Sequence, residues 1–264
     1  MNYAEPAGRP SARAADDYRA MAGAGVTFVV EAICGDGPPR AHAGTFEDDF
    51  GALLRWEPRR AAGHGVRHVC ALGLHGRHCA DAGLVEAVLW MLARLAGKDG
   101  VVALGELGLD EGGAAEEDAF ARQLELARRF GLPVIVRIPA HDPVRGLERS
   151  LALLRASGLP AGSAAIAGAG EPSLAAVLDS GAWALVTFDA AAGLSPDSAP
   201  DLLRRWGVER MLLSGGADRR GGDPLAVAAA AEALRRRGRA AAEIRGVLWD
   251  NPARFYGSAG RLDA

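Results

Sequence analysis

Val101-Val102-Ala103-Leu104-Gly105-Glu106-Leu107-Gly108-Leu109-Asp110 is an apolar run that ends in a carboxylate held between two glycines. Short continuous runs of this kind suit strands buried on both faces of a parallel sheet. A parallel barrel builds its site at the C-terminal tips of such strands. Glu106 is therefore the first candidate functional residue.

Working outward, apolar runs alternate with helical patterns along the whole chain. The other strand candidates are Val26–Ile33, Val66–Leu74, Pro133–Ile138, Ala164–Ala167, Ala182–Phe188 and Arg210–Leu213. Helix candidates are Ala12–Ala22, Phe46–Ala62, Leu84–Ala96, Ala115–Phe130, Val144–Ala156, Ser173–Asp179 and Pro200–Trp206, with Leu225–Arg237 and Glu243–Trp249 after the last strand. Strands separated by helices imply parallel pairing with right-handed crossovers. A closed barrel of eight units takes roughly 250 residues, close to the 264 here. An eighth strand has to precede Ala12, where Pro6, Gly8 and Pro10 make poor strand material. The expected fold is α/β, a single (β/α)8 TIM-like barrel with an irregular first strand, forming one domain over residues 1–264. Gly35–Pro39 and Ala190–Ala199 read as surface loops. A doubly wound open sheet is the alternative; a GxGxxG after a first strand would favour it, and the chain has none.

Bulk composition narrows the function. The hydrophobic fraction of 49% fills a sizeable core at this length. Basic residues number 30 and acidic residues 33, a net charge of -3, which argues against nucleic-acid or membrane-surface binding. Lys98 is the only lysine, a sign of composition bias together with the many alanines and glycines. Cys34, Cys70 and Cys79 form neither a CxxC nor a disulfide framework, so a reducing compartment is expected. The polar stretch Met1–Ala20 lacks a secretory h-region, and no apolar segment approaches the ~20 residues of a membrane span. A cytoplasmic protein is the expectation.

The motifs resemble a known family. Gly105-Glu106-Leu107-Gly108-Leu109-Asp110, Phe120-Ala121-Arg122-Gln123-Leu124-Glu125-Leu126-Ala127 and Gly131-Leu132-Pro133-Val134-Ile135-Val136 are similar to the core of the TatD-like metal-dependent hydrolases. Those enzymes are TIM barrels of the amidohydrolase type. Further similar segments are Asp17-Tyr18, Thr45-Phe46-Glu47-Asp48, Arg67-His68, Asp223-Pro224-Leu225 and Asn251 with Tyr256. The resemblance runs over nearly the whole chain and is closest to the branch that includes the EboB-type proteins.

The resemblance implies two divalent metals at the C-terminal mouth, where they lower the pKa of a bridging water. The family's ligands are an H-x-H pair, a glutamate, two further histidines and an aspartate. The glutamate corresponds to Glu106. The H-x-H pair falls on Ala7 and Arg9, and the next two histidines fall on Arg137 and Gly168. The aspartate falls on Gly216, with Asp218 two residues on as a stand-in. Alanine and glycine have no side-chain donor, and arginine is permanently cationic. Glu106 is thus the one matched ligand and Asp218 an additional candidate, both also as catalytic residues, while the family's histidine ligands are lost at Ala7, Arg9, Arg137 and Gly168.

The chain's own histidines are His42, His64, His68, His75, His78 and His141. His75 and His78 follow a strand on the functional side and, with Cys79, permit a weak H-x-x-H-C metal reading. His141 with Asp142 lies just past Arg137, where a capping or surface role is favoured. His68 enters its strand from the wrong end for catalysis, and His42 and His64 sit in expected loops. Arginine in place of histidine beside Glu106 suggests a charge swap, with Arg137, and with it Arg9, replacing the cations by hydrogen-bonded pairing. The same arginines, with His75, His141 and the loops Gly168-Ala169-Gly170 and Gly215-Gly216, allow a site for a phosphate or carboxylate. Ser214 lacks a G-x-S-x-G elbow, Cys34 reads as a buried thiol, and an acid/base pair drawn from Glu31, Glu106, Asp110 and Asp218 needs two of them together at the mouth.

Two functions follow as expectations. The first is a non-catalytic relative of the hydrolases, without a cofactor, that binds a small anionic ligand or a partner protein. The second is a residual hydrolase of a phosphodiester or amide-type bond, holding one Zn, Mn or Ni ion through Glu106, Asp218 and His75 or His141.

Overall fold

The computed structural model describes residues 15–33, 40–188, 193–215 and 223–262. Seven strands form one sheet: β1 (Phe28–Ala32), β2 (Arg67–Leu72), β3 (Val101–Gly108), β4 (Val134–Arg137), β5 (Ala164–Ala167), β6 (Trp183–Thr187) and β7 (Met211–Ser214). Each corresponds to an expected strand with ends moved by at most two residues. Every neighbouring pair is parallel, and the spatial order β1 to β7 is the sequence order. A doubly wound sheet starts in the middle and reverses direction; an order that never reverses is the winding of a TIM-like barrel. The expected irregular first strand, before Ala12, lies outside the described residues. Between β1 and β7 lies a cavity of about 530 Å³, lined by Val30, Leu185, Leu212, Trp249 and Tyr256 among others.

Helices separate the strands. α1 is Ala15–Gly23; α2 (Ala43–Gly51) runs through a π-helical turn, Ala52–Trp56, into α3 (Glu57–Ala62). α4 (Ala82–Leu95), α5 (Ala114–Phe130), α6 (Pro143–Ser157), α7 (Glu171–Asp179), α8 (Ala199–Trp206) and α9 (Ala226–Arg236) follow. α10 (Ala241–Arg245) joins α11 (Asn251–Gly257) through a second π-helical turn, Gly246–Asp250. Local chemistry sets several ends. Asp81 accepts from the Leu84 N–H at 3.0 Å and opens α4. Asp142 accepts from the Arg145 N–H, with Pro143 in the first turn of α6. Gly131 closes α5 in the left-handed conformation, φ 64°. The Ala190–Ala199 stretch, expected to be a loop, ends in a short 3-10 turn, Pro196–Ser198, that leads into α8.

Strand residues alternate between two apolar layers. Val30, Ala32, Val69, Ala71, Ile135 and Leu185 belong to an inner cluster joined by Phe255 and Tyr256 of α11. Phe255 packs 5.8 Å from Trp183, the first residue of β6, so α11 covers the N-terminal end of the strands. The alternate residues, such as Leu72, Leu104, Val134 and Ile166, pack under the helices. The end left for chemistry is the C-terminal one. No helix among the described residues is long and apolar enough to cross a membrane.

Candidate functional site at the C-terminal mouth

Parallel pairing puts every strand's C-terminal tip on one rim, so residues distant in sequence meet there. Gly108, the last residue of β3, is in register with Arg137, the last of β4. The Arg137 Nη1 donates to both oxygens of Glu106, at 2.9 Å to Oε1 and 2.7 Å to Oε2. The two side chains are 7% and 1% exposed. A buried carboxylate needs a compensating charge and hydrogen bonds, and here a guanidinium supplies both. The expected pairing of Glu106 with Arg137 is present in the geometry.

Two glycines flank the glutamate for reasons of space. A Cβ on Gly105 would lie 2.7 Å from the Cβ of Ile135 on β4. A Cβ on Gly108 would lie 2.8 Å from the Arg137 carbonyl oxygen and 3.0 Å from His75 Nε2. Contacts this short are not tolerated by any side chain, so the G-E-L-G spacing allows β4 and His75 to close on Glu106.

His75 sits in the loop after β2, at the head of a short turn, Gly76–His78. Its Nδ1 accepts from the Arg77 N–H at 3.3 Å. The ring is buried, and its pKa is lowered mainly by desolvation, with Glu106 and Arg137 as the nearest charges felt. Gln123 of α5 fixes the loop: its Oε1 accepts from the Leu74 N–H at 2.8 Å, and its Nε2 donates to the Leu74 carbonyl at 2.9 Å. His78 is held the same way as His75, its Nδ1 accepting from the Arg40 N–H at 3.0 Å. Burial first, and then Arg40, lower its pKa to about 3. Cys79 directs its thiol at the His75 carbonyl, and burial pushes that thiol up to about 12. Asp110 pairs with Arg77 at 3.4 Å. Tyr256 is buried, and its hydroxyl is held protonated by desolvation and by the charge of Glu106.

Several sequence expectations are corrected. Glu31 is not available as an acid/base partner of Glu106: it lies on the helix-facing side of β1, where it bonds His68 Nε2 at 2.9 Å, both side chains essentially unexposed. The H-x-x-H-C metal reading also fails on chemistry. With Nδ1 of each histidine accepting a main-chain proton, the neutral rings carry their own proton on Nε2, and a thiol at about 12 is not a thiolate. Gly170 is occupied locally, donating to Ser173 Oγ at 3.1 Å at the start of α7. His141 is exposed before α6, while its neighbour Asp142 does the capping. His42 and His64 are exposed and half-buried respectively. Ser214, the last residue of β7, is buried and in register with Thr187. Ala7, Arg9, Cys34, Gly216 and Asp218 lie outside the described residues.

The two-metal arrangement implied by the resemblance does not fit the described residues. Both Glu106 oxygens face a guanidinium, and Arg137 and Gly168 bring no donor. Among the described residues no group of three or more His, Cys, Asp or Glu is arranged to hold a metal ion. The sequence reading missed Gln123 as part of this site, although it stands in a quoted motif. Its role depends on which backbone it reaches.

Comparison with known proteins agrees with this geometry at the level of fold. Residues 41–157 match the family model described as TatD related DNase. That segment carries β2, β3, β4, Glu106, Arg137 and His75. The TatD-like protein of Archaeoglobus fulgidus superposes with a TM-score of 0.76 at 24% identity, over 97% of this chain and 98% of that one. The phosphotriesterase homology protein of Escherichia coli gives 0.66 at 19% identity, over 92% and 88% of the two chains. The phosphotriesterase of Mycobacterium tuberculosis gives 0.66 at 17%, over 92% and 83%. No curated protein matches the chain.

Proposed function

We propose that this chain is a member of the TatD-like group, of its EboB-type branch, that has exchanged metal-dependent hydrolysis for binding at the barrel mouth. The observation that carries the reading is the Glu106–Arg137 pair. A metal-binding carboxylate must offer lone pairs to a cation; here both oxygens accept from one guanidinium nitrogen. The ligand class that suits a mouth with Arg137 and His75 is a small anion, and the composition argues for a cytoplasmic protein with no nucleic-acid partner.

A one-metal hydrolase is the competing reading. It requires Glu106 to leave Arg137 and a histidine to expose a ring lone pair beside it, while the buried lone pair of His75 is already taken by the Arg77 N–H. Metal analysis of the purified full-length protein separates the two. The expected result is less than a tenth of an equivalent of Zn, Mn or Ni and a melting temperature unmoved by chelator. About one equivalent of metal, with melting lowered by chelator, would establish the hydrolase reading instead.

A further inference from the structure

We infer that His75 is the direct donor of an oxyanion site at the barrel mouth, presenting its Nε2–H to a carboxylate or phosphate oxygen. The inference rests on the binding reading above and names the chemistry of the ligand.

Three observations meet at this ring. The first is its tautomer. Nδ1 accepts from the Arg77 N–H, so in the neutral ring the proton resides on Nε2. Burial keeps the ring neutral. The second is an unmet donor. His75 is only 5% exposed, and its Nε2 has no hydrogen-bond partner among the described residues. Buried N–H groups are almost always satisfied, and one that is not calls for an explanation. The third is location. The Nε2 edge lies over Gly108, 3.0 Å from where a Cβ would stand, and the Arg137 carbonyl bounds the same space at 2.8 Å. The glycine lets this buried edge reach the rim that carries Glu106 and Arg137.

The choice of an anion over a metal follows from the donors. A ring nitrogen that carries a proton has no lone pair for a cation. His78 is locked in the same tautomer by the Arg40 N–H, and its Nε2 likewise has no partner among the described residues. Cys79 is a protonated thiol. The charges facing His75 are Glu106, Arg137, Asp110 and Arg77. Each carboxylate in that set is already paired with an arginine, which leaves the N–H to meet an incoming oxygen without a free negative charge beside it. Gln123 holds the loop at Leu74, so the donor is positioned before the ligand arrives.

The test uses full-length, ¹⁵N-labelled protein near neutral pH. Long-range ¹H–¹⁵N spectra of the imidazoles are recorded during separate titrations with inorganic phosphate and with acetate. The expected outcome is a His75 ring in the Nε2–H tautomer whose Nε2 resonance shifts saturably with one of the two anions. Phosphate alone identifies a phosphate site, and acetate alone a carboxylate site. His75→Phe keeps a ring in place and should weaken that anion about tenfold or more, the effect of removing one hydrogen bond to a charged group. A His75 ring protonated on Nδ1, no saturable shift with either anion, or unchanged affinity in His75→Phe would overturn the inference. Should His75→Phe fail to fold, the tautomer and the two wild-type titrations still decide. A stoichiometric metal would bring down the binding reading; a metal-free protein that ignores both anions would bring down only this one.

Discussion

Two acid–base pairs are buried on opposite faces of one sheet, and they differ in the base. On the inner face, at the mouth, Glu106 pairs with Arg137. On the helix-facing side of β1 and β2, Glu31 pairs with His68, beside the cluster of Tyr18, Met21 and Ala61 from α1 and α3. Arginine is always charged, so Glu106 faces a fixed cation. A histidine can share one proton with its partner and so avoid a full buried charge. The contrast separates a pair built on a fixed cation at the rim from a bond that ties two strands together.

The largest effect that tests this contrast comes from Arg137→Ala. It leaves a buried carboxylate uncompensated, and urea unfolding should show a loss on the order of 3–5 kcal/mol. A loss below about 1 kcal/mol would mean that Glu106 is solvated and that the inner pair is no ion pair of consequence. The outer pair should respond less. Glu31→Gln preserves shape and hydrogen bonding while removing the charge, and a loss of about 1–3 kcal/mol is expected, the cost of one poorly satisfied buried group. If Glu31→Gln costs as much as Arg137→Ala, the two pairs are alike and the distinction collapses.

The remaining effect concerns acid. His78 titrates near 3 in the folded protein against 6.5 ordinarily. The folded state therefore refuses a proton that the unfolded chain accepts. The resulting stability is whole above about 6.5 and is lost as pH falls toward about 3. His78→Phe removes that titration, so its melting temperature should decline less steeply than wild type across this window. Parallel declines would show that groups elsewhere set the acid limit and would remove His78 from the mouth's neutral, donor-only character.

Much of the fold was legible in the residues. Unbroken runs such as Val101–Leu107 and Ala182–Phe188 have no polar face to leave in water, and only a sheet covered on both sides accommodates them. Their alternation with helices implied parallel pairing, and all seven expected strands were found in sequence order. The site was legible only in part. Glu106 and the arginine at position 137 could be set side by side because both end strands that pair with each other. Glu31 was misjudged because the period of two places a strand residue on one face or the other without saying which face is the mouth. Gln123 was invisible because its partners are main-chain groups of Leu74, 49 positions away.

By itself, then, the order of apolar and polar residues determined that a parallel α/β barrel forms and that a lone carboxylate is carried to its rim, because burial and periodicity are local properties of the chain. Only the folded molecule decided that this carboxylate meets a guanidinium, and that the His75 ring is buried with Nδ1 accepting from the Arg77 N–H. The pairing joins residues 31 positions apart at 2.7 Å, and the His75 ring, though its Nδ1 bond to Arg77 is local, is buried against the distant Gly108; no local pattern encodes either placement.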